Sequence, residues 1–157
     1  TVTDGNGSGG NPTVELAENA LRQVTVVLTD AQVKALATAP QQIIPAPGVN
    51  KMIVFVSAVL GLDSVAGYAP AAGDDLAFRF ADGAGNIVSQ TRETTGFLDQ
   101  AADRIAFVGP LTTYEGAAAG YINLALVLDN IGADFVGGNV ANDLTVIVTY
   151  RVLTITL

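Results

Sequence analysis

The run LTVIVTYRVLTITL, from Leu144 to Leu157, constrains the fold more than any other stretch of the chain. β-Branched and aromatic side chains dominate it, and these suit a pleated surface while losing rotamer freedom in a helix. Val146, Val148, Tyr150 and Val152 fall on one face at the strand period, and Ile147, Leu153 and Ile155 take most of the other. A strand apolar on both faces is covered on both. Either it runs through the centre of one large core, or a second subunit supplies the outer cover. Both readings stay open.

The same strand period recurs upstream. Arg22 to Leu28 alternates, with Val24, Val26 and Leu28 on one side. Lys51 to Leu62 (KMIVFVSAVLGL) is apolar on both sides and reads as a strand buried between layers. Leu76, Phe78 and Phe80 alternate with Ala77, Arg79 and Ala81, and the loop Asp82 to Asn86 turns that strand back through Ile87 to Thr91. Gln42 to Ile44, Ile105 to Val108 and Tyr121 to Leu128 complete the set. A capping box, Thr29 with Gln32, opens a short helix through Leu36 that ends before Pro40. Leu98 to Arg104 is expected to hold one helical turn. About eight strands separated by Gly, Pro and Asp/Asn loops, with one short helix, predict an all-β antiparallel sandwich or barrel. Helix–strand alternation is lacking, which argues against a parallel sheet.

Residues 1–13 open with TVTDGNGSGGN, too polar and Gly-rich to bury a core of its own, so the expected organisation is a flexible N-terminal arm (1–13) and one β-sandwich domain (14–157). A domain near this length buries about 70% of its unfolded surface, enough to stand without disulfides. That matters because the chain contains no Cys.

Nor does it contain His or Trp. Most enzymes recruit His or Cys as base, nucleophile or metal ligand, because these groups change protonation near neutral pH. The remaining candidates are weak. Asp74 with Asp75, Asp99 with Asp103, and Asp129 with Asp134 could serve as paired carboxylates, but each sits in a Gly/Ala/Asn loop where Asp commonly bonds its own backbone. Ser57, Ser64 and Ser89 have no activating base. Asp4, Asn6, Ser8, Gly9 and Glu15 follow the spacing of a calcium loop, yet no incoming helix has room before Asp4. No catalytic residue, cofactor or metal is therefore expected.

Seven Lys and Arg against fifteen Asp and Glu give a formal net charge of -8, which opposes binding to nucleic-acid phosphates or an anionic membrane. The longest apolar run, Met52 to Leu62, is too short to cross a bilayer as a helix. Only 14% of residues are charged, against about 25% in typical domains, so part of the surface itself must be apolar. Such faces usually meet another chain. A rival expectation is a receptor- or carbohydrate-binding module that uses loop residues such as Tyr68, Asp74, Asp75 and Tyr114.

Three stretches carry a resemblance. Leu28 to Leu60 places a strand and short helix before Ile-Pro-Ala-Pro-Gly and an apolar strand; Asp129 to Leu153 places a Gly-Gly-Asn loop before a final strand; and Leu76 to Val88 forms an aromatic hairpin. Together they resemble the head decoration, or capsid cement, proteins of tailed bacteriophages. The resemblance implies a jelly-roll-like sandwich forming homotrimers on the outer surface of an icosahedral capsid, bridging neighbouring copies of the major capsid protein, with no catalytic residues. The candidate partner-contacting residues are Thr1, Val2, Thr3 and Asp4 in the arm, Val14 at the start of the domain, and Leu153, Ile155 and Leu157 on the last strand.

Overall fold

A computed structural model describes residues 19–113 and 115–156. In chain order these form β1 (Arg22–Thr29), α1 (Asp30–Lys34), β2 (Gln41–Ile44), β3 (Lys51–Asp63), β4 (Tyr68–Ala69), β5 (Asp75–Phe80), β6 (Arg92–Glu93), β7 (Arg104–Val108), a 3-10 turn at Ala118–Gly120, β8 (Leu126–Asn130), β9 (Val136–Gly137) and β10 (Asp143–Thr154). Two four-stranded sheets run in the orders β1-β10-β3-β7 and β2-β8-β5-β6, and β4 pairs with β9 in a small ribbon. All pairings are antiparallel. Apart from the ribbon, the first, last, third and sixth strands make one sheet and the second, seventh, fourth and fifth make the other. That order is a jelly roll.

The inner faces close on one core. β10 contributes Leu144, Val146 and Val148, and β3 contributes Ile53, Phe55, Ala58, Leu60 and Leu62, against Leu76, Phe78 and Phe80 of β5 and Leu126 and Leu128 of β8. Phe55 stacks on Phe78 across the gap at a centroid distance of 5.0 Å, and Phe80 meets Tyr121 edge-on at 5.9 Å. The pairing of β10 with β3 shifts between Thr149 and Tyr150, where Ser57 and Phe55 are the successive partners and Val56 is passed over. This bulge in β3 lets Ile53 and Phe55 face the core on the same side as Ala58, Leu60 and Leu62.

The capping box forms as expected: the Thr29 backbone N–H donates to Gln32 Oε1 at 3.0 Å and its hydroxyl donates to the same oxygen at 3.1 Å. The helix is shorter than expected, ending at Lys34, with turn-type bonds from Leu36 N–H to Val33 O and from Ala39 N–H to Ala35 O before Pro40. Val33 and Leu36 are fully buried, so α1 plugs one end of the core.

Three expectations change. No helical turn fills Leu98 to Arg104: the chain turns earlier, with Phe97 and Leu98 N–H groups both donating to Thr94 O, and Arg104 already belongs to β7. The strand expected from Tyr121 starts at Leu126, because Ala118–Gly120 forms a 3-10 turn and Asn123 takes a positive φ of 54° that no strand accommodates. The third concerns β3, which is covered by core on one side only. The expected arm, and the Asp4–Glu15 spacing, lie outside the described residues.

Candidate functional site

Along β10, Asp143, Thr145, Ile147, Thr149 and Arg151 alternate with the buried Leu144, Val146 and Val148 and so face away from the core. Register extends each into a row across the sheet. Asp143 lies beside Asp63; Thr145 sits between Val27 and Gly61, and Gly61 pairs with Ile105; Ile147 sits between Thr25 and Val59, and Val59 pairs with Phe107; Thr149 sits between Gln23 and Ser57; Arg151 lies beside Val54. The three middle rows contain no charged residue. Phe107 is 78% exposed, Ile105 71% and Val27 54%. With about 150–250 Å² for a large side chain, these three alone expose on the order of 300–400 Å² of apolar surface, within the range where patches mark contact sites.

The other sheet behaves differently. Every residue of β8 is buried, and so is Ala77 of β5, so both of its faces are covered. The 81–86 loop and Pro40 close over that outer side; a methyl group placed on Gly83 would come within 3.3 Å of both Asp129 Oδ1 and Pro40 Cγ. Among the described residues, loops thus fold over one sheet and leave the other open.

Of the partner-contacting residues expected from sequence, Leu153 and Ile155 are half-buried at the far end of β10, where Leu153 pairs with Met52 and the Ile155 N–H donates to Asn50 O at 2.7 Å. Thr1, Val2, Thr3, Asp4, Val14 and Leu157 lie outside the described residues. Val27, Val59, Ile105 and Phe107, the centre of the open face, are missed by the sequence reading. In RIAFV, Ala106 and Val108 are apolar like Ile105 and Phe107, and only pairing with β3 sends the first two inward and the other two out. Ser57 lies on this outer side, next to Thr149.

The loop carboxylates are engaged within the fold. Asp74 is buried and accepts backbone N–H bonds from Ala71 and Ala133, clamping two loops. Asp99 accepts from the Gly96 N–H at 2.7 Å and Asp103 from the Ser64 N–H at 3.1 Å. Asp134 takes the Thr38 hydroxyl at 2.7 Å, which holds its carboxyl below the usual range. Asp129, buried in β8, is paired with Arg79 at 2.7 Å; burial still pushes its carboxyl up, the Arg79 charge opposing. Tyr68 is buried too, and loss of hydration, reinforced by the Asp30 carboxylate, raises its phenol well beyond the ordinary range. Gly138, at a positive φ of 68°, passes so close to Tyr68 and Asp30 that a side chain would strike both.

These placements remove two of the loop residues named for a carbohydrate-binding reading: Tyr68 and Asp74 point into the fold, Asp75 belongs to β5, and Tyr114 lies outside the described residues. Among the described residues, no group of acidic side chains is arranged to hold a metal ion. No helix among them is long and apolar enough to cross a membrane.

No protein-family model matches the chain. A search of curated proteins likewise gives no match. Among solved structures, the chain is similar to one described as "Capsid of Ralstonia phage GP4", with 14% identity, 92% of each chain covered and a TM-score of 0.43.

Proposed function

We propose that this chain is a virion structural protein of the capsid decoration type, which attaches to the outer surface of an icosahedral phage head and stabilises the shell by bridging neighbouring major capsid subunits. The observation that carries this reading is the open face of the β1-β10-β3-β7 sheet, whose three middle rows carry no charge, on a jelly roll whose loop carboxylates are spent on its own backbone. Such a molecule offers surface to other chains. The resemblance of Leu28 to Leu60 and Asp129 to Leu153 to phage decoration proteins supports the same reading, and implies assembly from three copies. Its mechanism is linkage: a protein that binds the assembled shell and not its dispersed subunits favours the shell by mass action.

The test is co-sedimentation with capsids assembled from the major capsid protein of the same virus. The full chain is expected to saturate a fixed number of sites. Deleting residues 1–11 is expected to leave the sandwich folded, as judged by circular dichroism, and to weaken attachment about tenfold or more, because the arm reaches a neighbouring subunit. Equal occupancy with and without those residues removes the arm from the account. No binding by the full chain removes the shell.

A further inference from the structure

The outward residues of β10 read Asp143, Thr145, Ile147, Thr149, Arg151, a series that complements itself when reversed. Ile147 is the midpoint, with the acid and the base each four residues away, about 13 Å at strand rise. The neighbouring strand β3 adds acid at one end only. Asp63 joins Asp143 at one end, Val54 flanks Arg151 at the other, and the central row holds Val59 and Phe107 with Ile147.

We propose that a second copy of this chain covers the open sheet face, related by a two-fold axis that lies between the sheets and crosses the strands at the Ile147–Val59–Phe107 row. Each Ile147 and Phe107 then meets its own counterpart, Thr145 of each copy faces Thr149 of the other, and Asp143 and Asp63 of each approach Arg151 of the other.

Charge selects this arrangement. Two sheets packed face to face keep their strands within about 30° of alignment and lie about 10 Å apart. A two-fold axis in that plane can run along the strands or across them. Along the strands it would set Asp143 and Asp63 against their own copies, which repels; across the strands it sets them against Arg151. In either case the apolar row faces the partner's apolar row, so the ends decide. Size agrees as well. The β1–β10 register spans eight paired positions, about 27 Å, and four strands are about 19 Å across, a flat footprint on the order of 500 Å² before side-chain relief is counted. That is the scale of a standard interface, about 800 Å² of accessible surface per partner with little more than half of it apolar.

A contact of this kind is isologous and closes at two. A ring of three needs a different surface, so pairing together with the three-copy assembly of the shell reading gives six chains, and the pairing is judged apart from that reading. It can be tested on the purified full chain without any capsid.

The measurement is solution mass by sedimentation over a concentration series at low and moderate salt. Wild type is expected at two chains or an even multiple. Phe107→Asp, at an exposed position, and Arg151→Asp, which sets acid against acid, are each expected to weaken pairing at least about tenfold while unfolding at the wild-type urea midpoint when compared at concentrations where both are single chains. The double variant Asp143→Arg/Arg151→Asp reverses the polarity of the face yet restores its self-complementarity, and is expected to recover most of what Arg151→Asp loses. A wild-type mass of one or three chains overturns the proposal. So does an Arg151→Asp variant that pairs as tightly as wild type, or a folded double variant that pairs no better than the single one.

Discussion

Replacing Phe78 with Ala is expected to cost about 3–5 kcal/mol of unfolding free energy, the range for a large aromatic cut from a packed core. Phe78 has no exposed surface, lies in β5, and stacks on Phe55 of the opposite sheet at 5.0 Å, so it spans the gap between the layers. Its backbone N–H is held by the Ser89 hydroxyl at 2.9 Å, which fixes the strand and limits how far the site can collapse around a void. Total stability of a domain is about 5–15 kcal/mol, so the loss is a large share of it. Urea unfolding at fixed protein concentration checks this. With a slope of about 1–3 kcal/mol per molar, the midpoint is expected to fall by 1 M or more. Phe107→Ala, on the exposed face, is expected to shift it by less than about 0.5 kcal/mol when both proteins are compared as single chains, at concentrations below pairing. A cost at Phe78 below about 1 kcal/mol would mean that the two sheets do not meet there.

Arg79→Met is expected to be as damaging for a different reason. Arg79 Nε lies 2.7 Å from Asp129 Oδ2, the two side chains being 14% and 3% exposed. Removing the guanidinium leaves the carboxylate charged, buried and unpaired, which costs about 3–5 kcal/mol at neutral pH. Converting both residues to apolar ones, Arg79→Met with Asp129→Leu, is expected to recover most of it, since such pairs add little over well-packed hydrophobic residues. The pH dependence carries the signature. Burial already raises the Asp129 carboxyl, with Arg79 opposing, so the single variant raises it further. A carboxyl whose folded value lies above its unfolded value binds more protons in the native state between the two; stability there falls as pH rises. The deficit of Arg79→Met is therefore largest at neutral pH and shrinks on acidification towards about pH 4. A deficit that does not change with pH would place its origin in lost packing.

Much of this architecture is legible in the residues. The alternation in β1 and the capping box at Thr29 and Gln32 survive intact, because each is settled by neighbours in sequence; β5 keeps Leu76, Phe78 and Phe80 inward, but its other face, expected open, is covered too. What escapes is settled across the fold. The two-residue strands β4 and β9 exist only because Gly137, at a positive φ, lets the chain come alongside Tyr68. β3 reads as buried on both sides, since Val54, Val56 and Val59 are as apolar as Ile53 and Phe55, yet its outer side is open and Val56 is absorbed by a bulge. The candidate site follows the same logic. The composition required an apolar surface somewhere, but RIAFV does not say which of its alternating sets is outside, and the larger set proved to be. The series from Asp143 to Arg151 was visible throughout, and acquires meaning only once β10 is known to lie second in a sheet with one open face.

The proposed capsid role requires that this protein strengthen a shell. Purified, undecorated shells of the same virus should be heated with rising amounts of the full chain, and their disruption followed by light scattering. At a free concentration about a hundredfold above Kd, each occupied site contributes about 2.7 kcal/mol to the assembled form. The predicted result is a disruption temperature that climbs with dose and levels off at full occupancy. Shells that come apart at the same temperature with and without the protein, at doses that saturate them or with no binding at all, would contradict it.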